Sequence, residues 1–455
     1  MVVDDASARR DVAGTVARMP TAEFVSEDDV DNPAHGGNAT ADRLPDRLTD
    51  WHRAVIVGLI AYVVTRLCVL AGAAVRASQL AVDARKLAEI AGVPAQEPTA
   101  VHTITEVLTS WDGRWYLELI RRGYPDSIPA DITYEQLEAR AAFFPVYPWI
   151  ARGADWILPG GDTLAAILVN VVLGAVAVVV VGLLARQLYG VTVASRAMVL
   201  FVVFPGSFVL SFTYSEATLI VLAAACLLFL LREQWWLAGL AAMFGTATRP
   251  NAVGLVAACM VASFLAIRRS RDWMSLVAVV LSPIGFIAFQ IYVDHTAGER
   301  GAWFRVQTEA WKEGTSFGAT AVTNTLEFVT HPFSSPTDAL TALSMAALLG
   351  MVYCAWRVRL SLPSAAYSAV VVALMLIPET VTARPRFLIT AFPLLIAAAA
   401  WWQRHDDAVA ARTSTDGTIG DRLSWSHTGW DMAMVAGGAG IAVLTGIYAV
   451  FGAIP

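Results

Sequence analysis

Residues 54–75 read AVIVGLIAYVVTRLCVLAGAAV, an apolar run interrupted by a single charge, Arg66. A helix needs about 20 such residues to cross the roughly 30 Å hydrocarbon core of a bilayer, so the run predicts a membrane-spanning helix. Outward from it, apolar runs recur at 163–185, 197–212, 217–231, 235–247 and 252–267, then at 273–293, 339–358, 364–378, 387–402 and 432–451. The pattern predicts an all-α, polytopic integral membrane protein with about eleven transmembrane helices, some of them short. The composition agrees: of 455 residues, 56% are hydrophobic and only 15% charged, with a mean hydropathy of +0.57, well away from soluble averages. A net charge of −6 without any basic block gives no reason to expect a nucleic-acid partner. Cys68, Cys226, Cys259 and Cys354 all fall inside apolar runs without paired spacing, and read as packing residues, not disulfides or metal ligands.

Between the runs the polar segments set the organisation. Residues 1–50 read as a disordered cytoplasmic tail, carrying the acidic run Glu27-Asp28-Asp29-Val30-Asp31 and no apolar signal segment. Residues 51–402 read as one transmembrane domain, 403–431 as a cytoplasmic polar loop and 432–455 as a C-terminal transmembrane helix. The 144–158 stretch is too broken by prolines and charges to cross, and reads as re-entrant or interfacial. Arg186 and Arg196, Arg232, the Arg268-Arg269-Ser270-Arg271 cluster, Arg357 with Arg359, and Arg404 fall on alternate connections, which makes that side cytoplasmic by the positive-inside rule. The opposite face then carries two long extracytoplasmic loops, 76–162 and 294–338, and three tight turns. The expected location is the cell membrane.

Alternation places the unusual polar residues on that outer face. Asp112 lies in the first outer loop, within Ser110-Trp111-Asp112-Gly113-Arg114-Trp115-Tyr116. Tyr214-Ser215-Glu216, Arg249-Pro250-Asn251, and Glu379 through Arg384-Pro385-Arg386 form the three turns. A rim with a carboxylate and several arginines suits chemistry with an anionic leaving group. Guanidinium presents a fixed fork of donors to phosphate oxygens, and a carboxylate can take the proton of an attacking hydroxyl. The aromatic faces around Asp112 suit sugars, though an interfacial aromatic belt gives the same residues. Snorkelling to lipid headgroups is the plain alternative for Arg249, Arg384 and Arg386. Arg66 reads first as the partner of a buried acid. Glu216 either caps the next helix or lines the site. Trp303, Phe304, Gln307 and Trp311 share a helical spacing that fits an interfacial amphipathic helix or a gate for a lipid substrate. His295 and His331 are isolated, no ligand spacing argues for a metal, and no Gly-rich loop argues for a nucleotide.

The ordered set of motifs resembles the PIG-V family of mannosyltransferases, named for GPI mannosyltransferase II and including many actinobacterial membrane proteins. The resemblance rests on Trp111-Asp112-Gly113-Arg114-Trp115-Tyr116 with Gly123-Tyr124-Pro125, and on Phe143-Phe144-Pro145-Val146-Tyr147-Pro148. It continues through Phe204-Pro205, Thr213-Tyr214-Ser215-Glu216, Thr248-Arg249-Pro250-Asn251, Gln307 with Trp311, Pro385-Arg386-Phe387 and Phe392-Pro393, collinear over roughly residues 50–400. The resemblance implies a GT-C type glycosyltransferase with its site on the extracytoplasmic face and a polyprenyl-phosphate sugar donor, generally mannose; the residues themselves call for no cofactor and leave metal dependence open. Asp112 matches the family's catalytic-type aspartate. The 126–140 loop is longer and more charged than the family pattern, which bears on the acceptor.

These readings converge on transfer of mannose from polyprenyl-phosphate mannose to a glycolipid or lipoglycan acceptor, by inverting single displacement. Asp112 would be the general base, and Arg249 and Arg386, with Arg384 in reserve, would hold the departing phosphate. Trp111, Trp115 and Tyr116 would position sugar faces, Phe143 to Pro148, with Phe144 and Tyr147 among them, would shape the floor, and Arg114, Tyr214, Glu216, Asn251, Gln307 and Trp311 complete the substrate-binding set. The competing readings are a GT-C transferase of a different sugar and a flippase of polyprenyl-linked sugar. The second tends to place charges at the bilayer midplane with inverted repeats, and no repeat is evident in this sequence.

Overall fold

The computed structural model describes residues 43–94, 99–332, 334–416 and 421–448. The chain divides into two units, residues 1–47 and 48–455. Of the first, only the start of a helix is described, so the expected disordered tail, acidic run included, lies outside the described residues up to position 42. From Arg43 the chain is already helical, which shortens the tail read from the sequence.

Among the described residues the fold is all-α, with no strand and a single isolated β-bridge between Thr315 and Pro378. In chain order the helices are α1 (Arg43–Ala91), α2 (Ala100–Leu108), α3 (Asp112–Arg122), α4 (Val146–Asp155), α5 (Asp162–Tyr189), α6 (Val191–Val203), α7 (Glu216–Leu231), α8 (Trp235–Thr246) and α9 (Gly254–Ser270). They continue as α10 (Leu276–Leu281), α11 (Ile284–Ala297), α12 (Ala302–Arg305), α13 (Ala319–Thr330), α14 (Pro336–Val358), α15 (Leu362–Leu376), α16 (Pro385–Leu388), α17 (Pro393–Asp416) and α18 (Asp421–Tyr448).

Among the described residues, six helical segments are long and apolar enough to cross a membrane, or eight if each of two bent pairs is one span, and three shorter apolar helices accompany them. Each apolar run read from the sequence corresponds to one of these segments. Large apolar side chains such as Ile56, Ile60, Val63 and Leu67 on α1, and Met260 and Phe264 on α9, remain exposed on the helix surfaces. Lipid, not water, is the medium that accepts such faces. The bends have identifiable causes. At Phe204-Pro205 the chain turns by 77° from α6 into the 3-10 segment Pro205–Ser211, and at Phe392-Pro393 by 74° into α17. Proline supplies no N–H to continue either helix.

Two expected loops are largely helical. α1 does not end with its apolar run but continues to Ala91, about 24 Å beyond Val75 at 1.5 Å per residue. Residues 76–91 are rich in good helix formers, and the helix stops only at Gly92 (φ +67), where Val93 N–H donates to Ala88 O and Gly92 N–H to Glu89 O, a Schellman-type ending. Residues 403–416 and 421–431, read as a polar loop, belong to α17 and α18. Within the 144–158 stretch lies α4, a short helix that exposes Trp149 and is followed by the exposed Trp156 and Ile157.

α5 packs against α4, α6 and α7; α7 against α8; α9 against α15; α17 against α6 and α14; and α18 against the 205–211 segment. One end of this bundle gathers the arginines of the short connections. Arg196 pairs with Asp406 at 2.5 Å and lies over the Trp430 ring, Arg186 lies over Trp51, and Arg404 over Tyr189. The other end, reached along the 28 residues of α5 or about 42 Å, carries the residues that follow.

Candidate active site

The site begins where α3 begins. Trp111, its N-cap, has φ +56 and ψ −119, a backbone conformation that costs a bulky residue about 1–3 kcal/mol. The surroundings hold it there. The Trp111 indole donates to the Tyr448 carbonyl oxygen at 2.5 Å, and Tyr214 Oη donates to Ser110 O at 2.8 Å. At its far end α3 is tied to the start of α5 by the Arg121–Asp162 ion pair at 2.5 Å. Asp112 therefore occupies the first turn of α3, where a negative charge suits the helix dipole.

Gly113 is small for a specific reason: a Cβ there would lie 2.2 Å from Thr213 Oγ1. The close approach carries a backbone bond, Thr213 N–H to Leu108 O at 3.1 Å, and seats Tyr214-Ser215-Glu216 beneath α3. Gly113→Ala is expected to lower thermal stability, since overpacking costs about 1–3 kcal/mol. Adding Thr213→Ala should recover most of that loss, because the next atom, Thr213 Cβ, lies 3.6 Å away. Thermal melts of both variants in detergent check this, and losses that simply add would put the strain elsewhere.

Two ion pairs form the centre. Arg386 NH1 donates to Asp112 Oδ2 at 2.8 Å and to Tyr448 Oη at 2.5 Å. Its guanidinium lies over the Phe387 ring, 4.4 Å from the centroid. The Asp112 and Arg386 side chains keep only 15% and 8% of their surface exposed. Tyr448 Oη in turn lies 3.2 Å from Tyr214 Oη. In the second pair, Arg249 NH1 lies 2.9 Å from Oε1 of the fully buried Glu216, and donates to Ser215 Oγ at 3.3 Å. Ser215 Oγ also lies 2.6 Å from Tyr116 Oη. Burial works against the Arg249 charge, yet the Glu216 carboxylate holds the guanidinium above its ordinary value. Burial likewise pushes the Tyr116 phenol up, so its hydroxyl keeps its proton. The Arg249 charge interacts with both Asp112 and Arg386; the four charges make one electrostatic unit.

The remaining residues divide. Asn251 Nδ2 donates to Thr390 Oγ1 at 3.1 Å, one turn past Arg386. Tyr147 sets its ring edge against Tyr116 and donates to Ala166 O at 3.0 Å. Trp311 lies edge-on to Phe143 and Tyr134, Trp115 edge-on to Tyr134, and Phe143 edge-on to Tyr116. The second outer segment thereby joins the first through aromatic contacts. Trp115 and Tyr116 are buried in this packing, so neither ring offers a free face for sugar stacking. Arg114 is exposed and lies over Trp115. Gln307 is half-buried on the π-helical turn Val306–Ala310.

Two expectations are corrected. Phe144 packs away from Asp112, against Phe289, Phe286 and Trp303, and shapes no floor under the ion pairs. Arg384 does not join Arg386 at Asp112. It is buried and donates to Thr341 Oγ1 of α14 at 2.5 Å; burial, then the adjacent Arg386 charge, pulls it down to about 10. Arg66 also differs from its reading. Its partners are Ser207 O and the Ser207 and Ser211 hydroxyls, not an acid.

Three residues of the cluster were not singled out from the sequence. Tyr448 sits in the last apolar run, where a lone tyrosine carries no signal; Ser215 and Thr213 lay inside a quoted motif without a role. Two cavities, of about 370 Å³ beside Arg186 and Arg232 and about 520 Å³ beside Arg196 and Asp406, open at the other end of the bundle. Among the described residues no three His, Cys, Asp or Glu side chains gather where they could hold a metal ion.

No protein-family model and no curated protein matches the chain. Among solved structures the chain is similar to ArnT from Cupriavidus metallidurans in the apo state, at 15% identity and a TM-score of 0.47, covering 77% of this chain and 76% of that one. It is similar to the same protein bound to undecaprenyl phosphate at 14% identity and a TM-score of 0.45, over 72% and 69% of the two chains. The apo oligosaccharyltransferase of Archaeoglobus fulgidus is similar at 14% identity and a TM-score of 0.41, over 86% of this chain and 56% of that one.

Proposed function

We propose that this chain is a membrane glycosyltransferase of the GT-C type that transfers a sugar, mannose by its PIG-V resemblance, from a polyprenyl-phosphate donor to a hydroxyl of a lipid-linked glycan on the extracytoplasmic face. The observation that carries the reading is the pairing of Asp112 with Arg386 at 2.8 Å, beside the second pair, Glu216 with Arg249. A carboxylate that can take the acceptor's proton and guanidiniums that can hold the departing phosphate suit displacement of a phosphate by an alcohol.

In the reaction the acceptor oxygen bonds to the anomeric carbon from the face opposite the phosphate, and its proton passes to Asp112. The bond from the anomeric carbon to the phosphate oxygen breaks, and its electron pair leaves with the polyprenyl phosphate. Charge on that phosphate grows as the bond lengthens, so guanidinium donors favour the transition state over the bound donor. Arg386 spans Asp112 and Tyr448. A phosphate offers the guanidinium a stronger, bidentate partner than one carboxylate oxygen. Transfer of Arg386 from Asp112 to the phosphate would free the carboxylate for the acceptor hydroxyl, which orders the steps: donor first, acceptor second. Glu216, fully buried, keeps Arg249 charged and fixed.

The test is transfer of radiolabelled mannose from synthetic polyprenyl-phosphate mannose in membranes containing the protein, with a host lipid extract as acceptor. Label is expected in the lipid fraction, and the labelled product identifies the acceptor class. Transfer from a different polyprenyl-phosphate sugar, with none from the mannose donor, would replace the sugar assignment. Labelled donor crossing the bilayer unchanged would replace transfer with flipping.

A further inference from the structure

We infer that Arg66, inside the first span, is a positioning residue for the reaction: it fixes the 205–216 segment on which both ion pairs depend. The catalytic part of this inference rests on the function proposed above; the structural part does not. Arg66 is buried. Its NH1 donates to Ser207 O and to Ser211 Oγ, both at 2.9 Å, its NH2 donates to Ser207 Oγ at 3.1 Å, and the Tyr62 ring lies 4.9 Å from the guanidinium carbon. A charge within a span is costly and persists where something depends on it.

What depends on it is the 77° break at Phe204-Pro205. A broken helix leaves backbone carbonyls without intrahelical donors in a medium that offers none. The Ser207 hydroxyl donates to Val202 O in the last turn of α6 at 2.5 Å, and Arg66 in turn bonds both the Ser207 carbonyl and that hydroxyl oxygen. The segment so held then meets the site at successive points. Gly206 passes so close to the backbone before Arg386 that a Cβ would lie 2.0 Å from Pro385 O. The Phe208 and Phe212 rings pack on Tyr448, at 5.0 and 5.6 Å between centroids. Thr213 sits under Gly113, and Tyr214, Ser215 and Glu216 follow directly. At the far end Asn170 Nδ2, from α5, donates to Phe212 O and to Tyr214 O. Arg66 and Asn170 therefore clamp the segment from its two ends, and Arg66 is the clamp that lies wholly outside the reacting groups.

The experiment compares the full-length wild type with Arg66→Met and Arg66→Lys in nanodiscs, by hydrogen exchange and by transfer kinetics. In Arg66→Met, amides of 205–216 are expected to exchange about 10- to 100-fold faster, the loss of a charge-assisted bond, while peptides around Arg196 and Asp406 at the other end stay unchanged. kcat is expected to fall roughly 100-fold, as displacements near 1 Å do elsewhere, with donor KM within about two-fold. Arg66→Lys should recover part of both effects. Unchanged exchange in 205–216, or exchange that rises equally at both ends, overturns the inference, as does local loosening with full kcat. The exchange readout needs no substrate, so a wild type that transfers no sugar sinks the proposed function and leaves the clamp tested. If Arg66→Met fails to fold, Ser207→Ala with Ser211→Ala removes the hydroxyl partners and must loosen the same peptides for the inference to stand.

Discussion

Asp112→Asn is expected to lower sugar transfer by about 100- to 10,000-fold, the range over which a general base contributes, in a protein that still folds and inserts. The substituted amide keeps an oxygen that can accept from Arg386 NH1, which now bonds Asp112 Oδ2 at 2.8 Å, but it cannot take a proton. The buried Arg386 guanidinium loses its counter-charge, so stability should fall by up to about 3–5 kcal/mol, the cost of breaking a buried pair from one side, lessened by the bond that the amide oxygen keeps. The helix start itself is held by other groups: the Trp111 indole on Tyr448 O, Tyr214 Oη on Ser110 O, and Thr213 N–H on Leu108 O. The local fold should therefore persist, and activity measured per folded protein should fall far more than stability explains. Wild-type turnover in the variant would remove the base assignment, whereas a matching collapse of both would make Asp112 a structural residue. Because only the proton acceptor is lost, donor binding should persist, and it can be measured by protection of Arg386 peptides from hydrogen exchange when polyprenyl phosphate is added.

The membrane-spanning helices were readable in the sequence because hydropathy over about 20 residues is a local property, as the run at 54–75 illustrates. What lay beyond each run was harder. The continuation of α1 to Ala91 leaves only a propensity signal, and the marker of its end is Gly92. Alternation of the spans put Asp112, Glu216, Arg249 and Arg386 on one face, but a face is wide and carries no distances. Arg386 meets Asp112 while Arg384 turns to Thr341 because the chain changes conformation between them: Arg384 is the extended N-cap residue (φ −134, ψ 149), whereas Arg386 lies in the first turn of α16. From the sequence Arg384 stood in reserve beside Arg386, with nothing to show that it turns away. Tyr448 was invisible for another reason. Its role comes from α18 returning beside the 205–211 segment, a tertiary fact that a tyrosine in an apolar run does not announce. Arg66 was conspicuous, yet its hydroxyl and carbonyl partners depend on the broken helix at Pro205.

Removing the other half of the central pair should be nearly as damaging, and in a way that tests whether the two halves act together. Arg386→Gln is expected to reduce kcat about 100- to 1,000-fold, the usual cost of one donor aimed at developing charge, with a smaller effect on donor KM because that charge is greatest in the transition state. Arg386→Lys keeps the charge but presents a compact ammonium in place of the planar fork. It cannot reproduce the reach to Asp112 and Tyr448 together with stacking over Phe387, so only part of the loss should return. Stability should respond too. Breaking a buried pair from one side costs up to about 3–5 kcal/mol, and with side chains 8% and 15% exposed the pair lies near the buried limit. Asp112→Asn in the Arg386→Gln background removes the stranded carboxylate, and the double variant should melt higher than Arg386→Gln alone. In turnover the two losses should fall well short of multiplying, because residues that act as one unit are strongly non-additive. If Arg386 must leave Asp112 before the base can work, a protein without either group has one defect, not two. Losses that multiply in full would mean that the carboxylate and the guanidinium serve independent steps, and the exchange of partners proposed for Arg386 would have to be abandoned.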